Sequence, residues 1–384
     1  MNLQRIAAIA YKEWREIIRD RLFFSLAFVV PALLMVLFGY GLSLDVENIP
    51  FAVVDHDRSA ASREYAYRFI GSRYFQFKGY AQDESSAARL VASGDARVVL
   101  VIPPSFGRDL AAGRQADIQT LVDGTFPSRA MTTKGYVSAI NAAFSLSSLA
   151  EAVARASGMS REHVLAALTP ITLEARYLYN QSVTSIWSLA PKLIMVILML
   201  SPPFLTALGV VREKENGSIF NIYASNVSRG EFLVGKLTPY VGISTVNILG
   251  LWLLATLLYR VPFKGDFGFF LLATLVYVLC TTGIGLLVSI MVRTQIAAMI
   301  VTMIVTMIPA VLYSGLIIPI ASLGQGAKVV SHLMPAMYYT DIVVGCFLKG
   351  VGWTALWRQV AVLAGYATLL FGVGYALFSK RPRT

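Results

Sequence analysis

Six long apolar runs, broken once by a polar insert, constrain this chain more than any other feature. They fall near 22–44, 185–210, 237–259, 267–292, 295–318 and 357–378. A helix needs roughly 20 apolar residues to cross the hydrocarbon core of a bilayer. Composition agrees: 56% of residues are hydrophobic and only 14% charged, whereas soluble domains are about 45–50% apolar and about 25% charged. The expectation is an α-helical integral membrane protein with six transmembrane helices and an inserted α/β domain at 45–182. The remaining divisions are an amphipathic interfacial helix at 1–21, the first transmembrane helix at 22–44 and a transmembrane domain at 183–384.

The insert differs from its surroundings. It holds 14 basic and 14 acidic residues and is neutral, so the net charge of +11 resides in the hydrophobic remainder. A nucleic-acid binder would gather basic residues on a soluble face; here they flank apolar runs. Within the insert, 50–55, 74–80, 97–103 and 117–123 read as strands. Between them lie helical patterns at 59–71, with Ser59 as N-cap, at 83–94, ending in Gly94, and at 105–113. A long helix is expected from Ser128 to about Ala156, and a second helical stretch at 160–179. Strands separated by helices call for a parallel or mixed sheet.

The first 21 residues place Ile6, Ile9, Ala10, Trp14, Ile17 and Ile18 near one face, with Arg5, Lys12, Arg15, Arg19 and Arg21 elsewhere. Such a helix lies in the headgroup plane. The run that follows reads as an uncleaved span, not a signal peptide. With the amino terminus inside, cytoplasmic segments carry most of the cations, among them Arg212, Lys214, Arg229, Lys236, Arg293, Lys380, Arg381 and Arg383. Short outer segments carry Arg260, Lys264, Lys328, Lys349 and Arg358. This matches the positive-inside rule, makes the insert extracytoplasmic and the protein multi-pass in the cell inner (plasma) membrane. Residues 319–356, with Pro319 and Pro335, are too short for a span and read as re-entrant or surface helices on the outer side.

Catalytic patterns are missing. The sequence Gly230-Glu-Phe-Leu-Val-Gly235-Lys236 resembles a phosphate-binding loop, but Leu237 stands where a magnesium ligand belongs. His56, His163 and His332 are widely separated; the two cysteines, Cys280 and Cys346, form no zinc pattern. Asp55 and Asp57 around His56 could face a cation, or could build a turn through Asx-type hydrogen bonds. No cofactor is expected. Lys192, inside the second apolar run, either snorkels or lines a polar transport path. The segment 212–236 is too charged to span, while Phe220, Ile222, Tyr223 and Phe232 give it an apolar side suited to docking on a soluble partner or on lipid. Gly39, Gly41, Gly283 and Gly285 would permit close helix approach or serve packing within their own helices.

Several segments together resemble the permease subunits of the type-2 ABC transporter family. Lys12-Glu13 with Arg19-Asp20 is similar to the family's interfacial helix. VVDHDRSAAS (53–62), VLVIPPSFGRDLAAG (99–113) and LVDGTFPSRA (121–130) resemble its large extracytoplasmic domain. REKENGSIFNIYASNVSRGEFLVGK (212–236) resembles its cytoplasmic coupling segment, and 314–350 the segment before the last span. The resemblance implies a dimer with a second permease copy or paralogue, bound to two cytoplasmic ABC ATPase subunits. It also implies a mechanical role for Arg212, Glu213, Lys214, Glu215, Gly217 and Lys236. Periplasmic partners such as a membrane-fusion protein and an outer-membrane channel are implied for a double-membraned cell. Export of amphipathic compounds is then the expected activity, with ATP hydrolysed by the partner chain. The competing reading is a non-transporting receptor or assembly scaffold whose outer domain binds a ligand or envelope protein; a membrane enzyme lacks a catalytic constellation.

Overall fold

A computed structural model describes residues 2–42, 45–171, 173–218 and 226–378. It divides into two compact units, one formed by residues 1–44 with 176–384, the other by 45–175.

In the first unit, α1 (Leu3–Arg19) is capped by the Asn2 side chain and buries Glu13 and Ile17, one turn apart, on a single face. Asp20 ends it and caps the next helix by accepting from the N–H groups of Leu22 and Phe23. That helix, α2 (Arg21–Gly41), contains a π-helical turn at Ser25–Val29 just ahead of Pro31. Numbering across both units in chain order, the remaining helices of this unit are α8 (Ser185–Glu215), α9 (Arg229–Leu258), α10 (Phe267–Met291), α11 (Gln295–Tyr313), α12 (Gln325–His332), α13 (Pro335–Val344) and α14 (Trp353–Leu377). Helix α8 is the hub: in its most apolar stretch 89% of residues are buried, against 22–33% for α2, α9, α11 and α14. Helices wrapped round one hydrophobic axis leave their outer faces apolar, as a lipid solvent demands.

Close approach at the hub depends on a missing side chain. A Cβ at Gly285 of α10 would lie 2.4 Å from the Pro203 carbonyl oxygen and 2.7 Å from its Cα. Gly39 and Gly283 likewise abut Tyr259, just past the end of α9, and Leu370 of α14, whereas Gly41 faces open space. Between 319 and 356 the chain forms a 3-10 turn at Ile320–Ser322, then α12 and α13, then a π-helical turn at Gly345–Lys349; Tyr339 and Phe347 are fully buried.

The second unit is built on a four-stranded mixed sheet: β1 (Ile49–Asp55), β2 (Phe75–Tyr80), β3 (Val98–Ile102) and β4 (Gln119–Val122), in the order β2-β1-β3-β4. β1 is parallel to both neighbours, and β4 is antiparallel to β3. Every residue of β3 is buried, and five of the seven residues of β1, the apolar runs expected of strands covered on both faces. The helices of this unit are α3 (Ala60–Ile70), α4 (Glu84–Ser93), α5 (Phe106–Ala111), α6 (Pro127–Ser157) and α7 (Arg161–Leu168). The helical stretch expected over 160–179 is confined to α7, because Pro170 cannot continue it. Helix α6 is long and apolar enough to cross a membrane, which brings the helices meeting that criterion among the described residues to seven. It nonetheless packs Val137 and Phe144 into the same core as Phe51 and Tyr65, and its Asn141 side chain accepts a hydrogen bond from the Tyr65 hydroxyl.

Candidate functional site

Three charged side chains withdraw almost completely from solvent at one place: Glu13 is 3% exposed, Glu213 5% and Lys236 1%. They come from three helices. The amphipathic face of α1 delivers Glu13, the last turn of α8 delivers Glu213, and the third turn of α9 delivers Lys236. Lys236 Nζ stands 2.5 Å from Glu13 Oε2 and 3.1 Å from Glu213 Oε1. Lys12 Nζ, from the rim, is 3.1 Å from the same Glu213 oxygen. Tyr240, one turn beyond Lys236, donates its hydroxyl to Glu13 Oε1. Glu213 Oε2 is buried with no hydrogen-bond partner among the described residues. Burial pushes the Glu13 carboxyl above its ordinary pKa, with Lys236 and Tyr240 pulling the other way. Burial lowers Lys12, but Glu213, with Glu16 and Glu13, outweighs it and leaves the lysine above its usual value.

The turn 212–215 radiates from this cluster. Arg212 Nη1 bonds Asp20 Oδ2 at 2.7 Å, with its guanidinium carbon 5.2 Å from the centre of the Phe23 ring. Burial opposes ionisation of Asp20, yet the hydrogen bond from Arg212 and those from the Leu22 and Phe23 N–H groups hold its pKa below the usual value. Glu213 reaches α1 and α9 as described, and Lys214 donates to the Ser289 carbonyl near the end of α10. Glu215 Oε2 accepts from both the backbone N–H and the side-chain amide of Gln295 at the start of α11, each at 3.0 Å. Four successive side chains of one helical turn thus hold the ends of α1, α9, α10 and α11. After α8, Gly217 adopts φ +71°, the left-handed conformation that glycine accepts without steric cost.

A second tie secures the amino end of α1. Ser228 and Glu231 form a capping box at the start of α9. Glu231 also accepts from the Asn2 N–H at 2.6 Å, and Arg5 Nη1 donates to the Asn226 carbonyl at 2.6 Å. Between these ties α1 lies directly on α9: a Cβ at Gly235 would come within 2.9 Å of the Ile6 carbonyl oxygen.

Of the residues singled out from sequence, Lys12, Glu13, Asp20, Arg212, Glu213, Lys214, Glu215 and Lys236 therefore converge. Arg19 is exposed and has no ion pair among the described residues. Lys192 lies elsewhere, in the third turn of α8, where Nζ bonds the carbonyls of Gly315 at 2.9 Å and Leu316 at 3.5 Å. Sequence reasoning passed over Asn2, Glu231 and Tyr240, and read Arg5 only as a basic residue of the interfacial helix. The S-x-x-E spacing of Ser228 and Glu231 was the available signal for one of them. One expectation needs correction: Phe232 does not sit on the exposed side of a docking helix. It is fully buried against Leu286 and Phe378, because α9 already begins at Arg229. Phe220, Ile222 and Tyr223 lie outside the described residues, as do Lys380, Arg381 and Arg383. The phosphate-loop look-alike is the opening of α9, with its lysine spent on Glu13. In the second unit, Asp55 Oδ1 accepts from the N–H groups of Asp57 and Arg58, at 3.1 and 2.9 Å, so this trio forms an Asx-type turn.

Residues 21–376 match the family described as ABC-2 family transporter protein. The chain belongs to that family. It is an ABC transporter permease, a multi-pass protein of the inner membrane. Among its relatives is a probable multidrug ABC transporter permease, YbhS of Escherichia coli strain K12, 28% identical over 99% of this chain and 98% of the relative. The inner membrane transport permease YhhJ of the same strain is 25% identical over 99% of this chain and 98% of its own length. ABC transporter G family member 20 of Dictyostelium discoideum is 22% identical, with this permease spanning 98% of itself but 51% of that longer protein. Membership implies an ATPase partner.

Proposed function

We propose that this permease serves an ATP-driven exporter that moves amphipathic small molecules, drugs or lipids, out of the cytoplasm, with hydrolysis performed by separate ATPase subunits. One observation carries the reading: Arg212–Glu215 fastens α1, α9, α10 and α11 to the last turn of the most buried helix. A displacement of the connection 216–228 would reach every one of those elements. The names of relatives, a probable multidrug permease and the linearmycin resistance permease LnrN of Bacillus subtilis, favour drugs as cargo.

In this reading six helices, α2, α8, α9, α10, α11 and α14, span the bilayer, while α6 belongs to an extracytoplasmic α/β domain. The support is that α6 is the least apolar of the seven candidates and contributes to the core of the second unit. The segment 319–356 lies on the outer side. A second permease copy completes the pathway, Lys192 lines it, and a membrane-fusion protein with an outer-membrane channel extends it. Lipid contacts the exposed face of α1.

The test is reconstitution of the permease with its ATPase partner. Substrate-stimulated hydrolysis is expected for the native pair. The variant Glu215→Lys, a charge reversal at an exposed side chain, should bind the ATPase and retain its fold by size-exclusion chromatography, yet lose most of the stimulation. Full stimulation in a folded variant would remove the mechanical role given to this turn, and absence of any co-purifying ATPase would favour the scaffold reading.

A further inference from the structure

The strand order leaves β4 at an edge, and the register decides which of its groups are free. Asp123 donates its N–H to the Arg97 carbonyl at 2.9 Å, and the pairs Val99↔Leu121 and Val101↔Gln119 continue that phase. In an antiparallel ladder the intervening residues point their N–H and C=O groups the other way. Thr120 and Val122 therefore present main-chain donors and acceptors to the outside of the sheet, where no further strand pairs among the described residues. Such an edge is a template for another strand.

The side chains of Thr120 and Val122, with Ile118, form one wall of a cleft of about 530 Å³, and Met131, Lys134 and Val137 of α6 form the other. Met131 is 70% exposed, so this wall offers apolar surface to an incoming group. Lys134 is the one ionisable side chain lining the cleft, and it makes no ion pair or hydrogen bond among the described residues. Free strand edge, apolar wall and uncompensated cation thus occupy the same groove, all within the second unit.

We infer that this groove receives an extended, acidic segment of a partner protein as a fifth strand. Main-chain pairing with Thr120 and Val122 would supply affinity, alternate apolar side chains would enter the cleft, and a carboxylate would meet Lys134. This is strand addition of the kind that uses backbone bonds for affinity and side-chain pockets for selectivity. An open main-chain edge selects a polypeptide over a small amphiphile, and the lysine selects an acidic sequence over a basic one. The inference does not depend on export.

The experiment uses the full chain in nanodiscs and a fluorescein-labelled peptide, Val-Glu-Val-Thr-Val-Glu, followed by fluorescence polarisation. Saturable binding is expected. It should weaken at least about tenfold with Lys134→Glu, an exposed change that leaves the core alone, and with Thr120→Pro. The proline removes only the outward N–H and is tolerated at an edge position that does not bond its neighbour. Methylation of alternate peptide nitrogens, or lysine in place of both glutamates, should abolish binding. No saturable binding up to millimolar peptide would overturn the proposal. So would affinity unchanged by both protein variants, or complete displacement by a fatty-acid anion that binds equally well to the Thr120→Pro variant.

Discussion

Lys236 Nζ lies 2.5 Å from Glu13 Oε2, joining residues 223 positions apart in the chain. Both groups are buried, and Glu213 shares the same cation. Removing one member of such a set leaves uncompensated charge in a low-dielectric site, typically at a cost of about 3–5 kcal/mol. Lys236→Met should fall in that range. Glu13→Gln in the same chain should recover part of the loss, giving a coupling energy of about 0.5–3 kcal/mol in a double-mutant cycle. Denaturant unfolding in detergent measures both, and strictly additive costs would mean that the two side chains do not interact.

Gly285 lets α10 touch the backbone of α8. The Cβ of an alanine would meet the Pro203 carbonyl oxygen at 2.4 Å, and backbone cannot rotate aside as a side chain can. Gly285→Ala should destabilise the first unit by about 1–3 kcal/mol or more, the usual penalty for overpacking. Gly41→Ala, which meets nothing within 4 Å, is the matched control and should leave the melting temperature unchanged or slightly raised. Equal melting temperatures for the two variants would contradict the packing of α10 on α8.

Asp123 supplies a pH signature for the second unit. The Thr125 hydroxyl and backbone N–H, followed by Arg97, hold its carboxyl down to about 2, from 3.8. A depressed carboxylate contributes stability that is complete above its unfolded pKa and is lost as pH falls through the folded one. The difference in protease resistance between the native chain and Asp123→Asn should therefore be constant from neutral pH down to about 4 and shrink towards zero near pH 2. A difference that grows on acidification would reverse the sign of this linkage.

Local features were legible where local forces decide them. Ser59 does cap α3, accepting from the Ser62 N–H at 3.1 Å, and Gly94 does end α4 at φ +82°. The amphipathic pattern of the first 21 residues is realised in α1, which buries Ile17 against Tyr240 and Leu205. The family, too, was readable, because its motifs are spread along the chain in order. What sequence could not disclose is the destination of each charge. Lys236 read as a positive-inside marker or as a residue of the coupling segment, the phosphate-loop reading being set aside by Leu237; only the convergence of α1, α8 and α9 sends it to Glu13 and Glu213. Phe232 misled for the same reason, since an apolar side chain near a helix start can face a partner or, as here, Phe378. Helix α6 shows the opposite limit: composition suits a bilayer, while Phe144 packs edge-on to Tyr65 in a core built on a sheet.

Helix α8 runs unbroken for 31 residues, roughly 45 Å at 1.5 Å per residue. It carries Lys192 near one end and Glu213 at the other, and Pro202–Pro203 in between. Between that turn and the lysine the helix has one soft joint, the proline pair, with Pro191 lying beyond the lysine. A twist applied to the charged turn swivels everything up to the proline pair as one piece, and whatever is not absorbed there arrives at the lysine without crossing a loop.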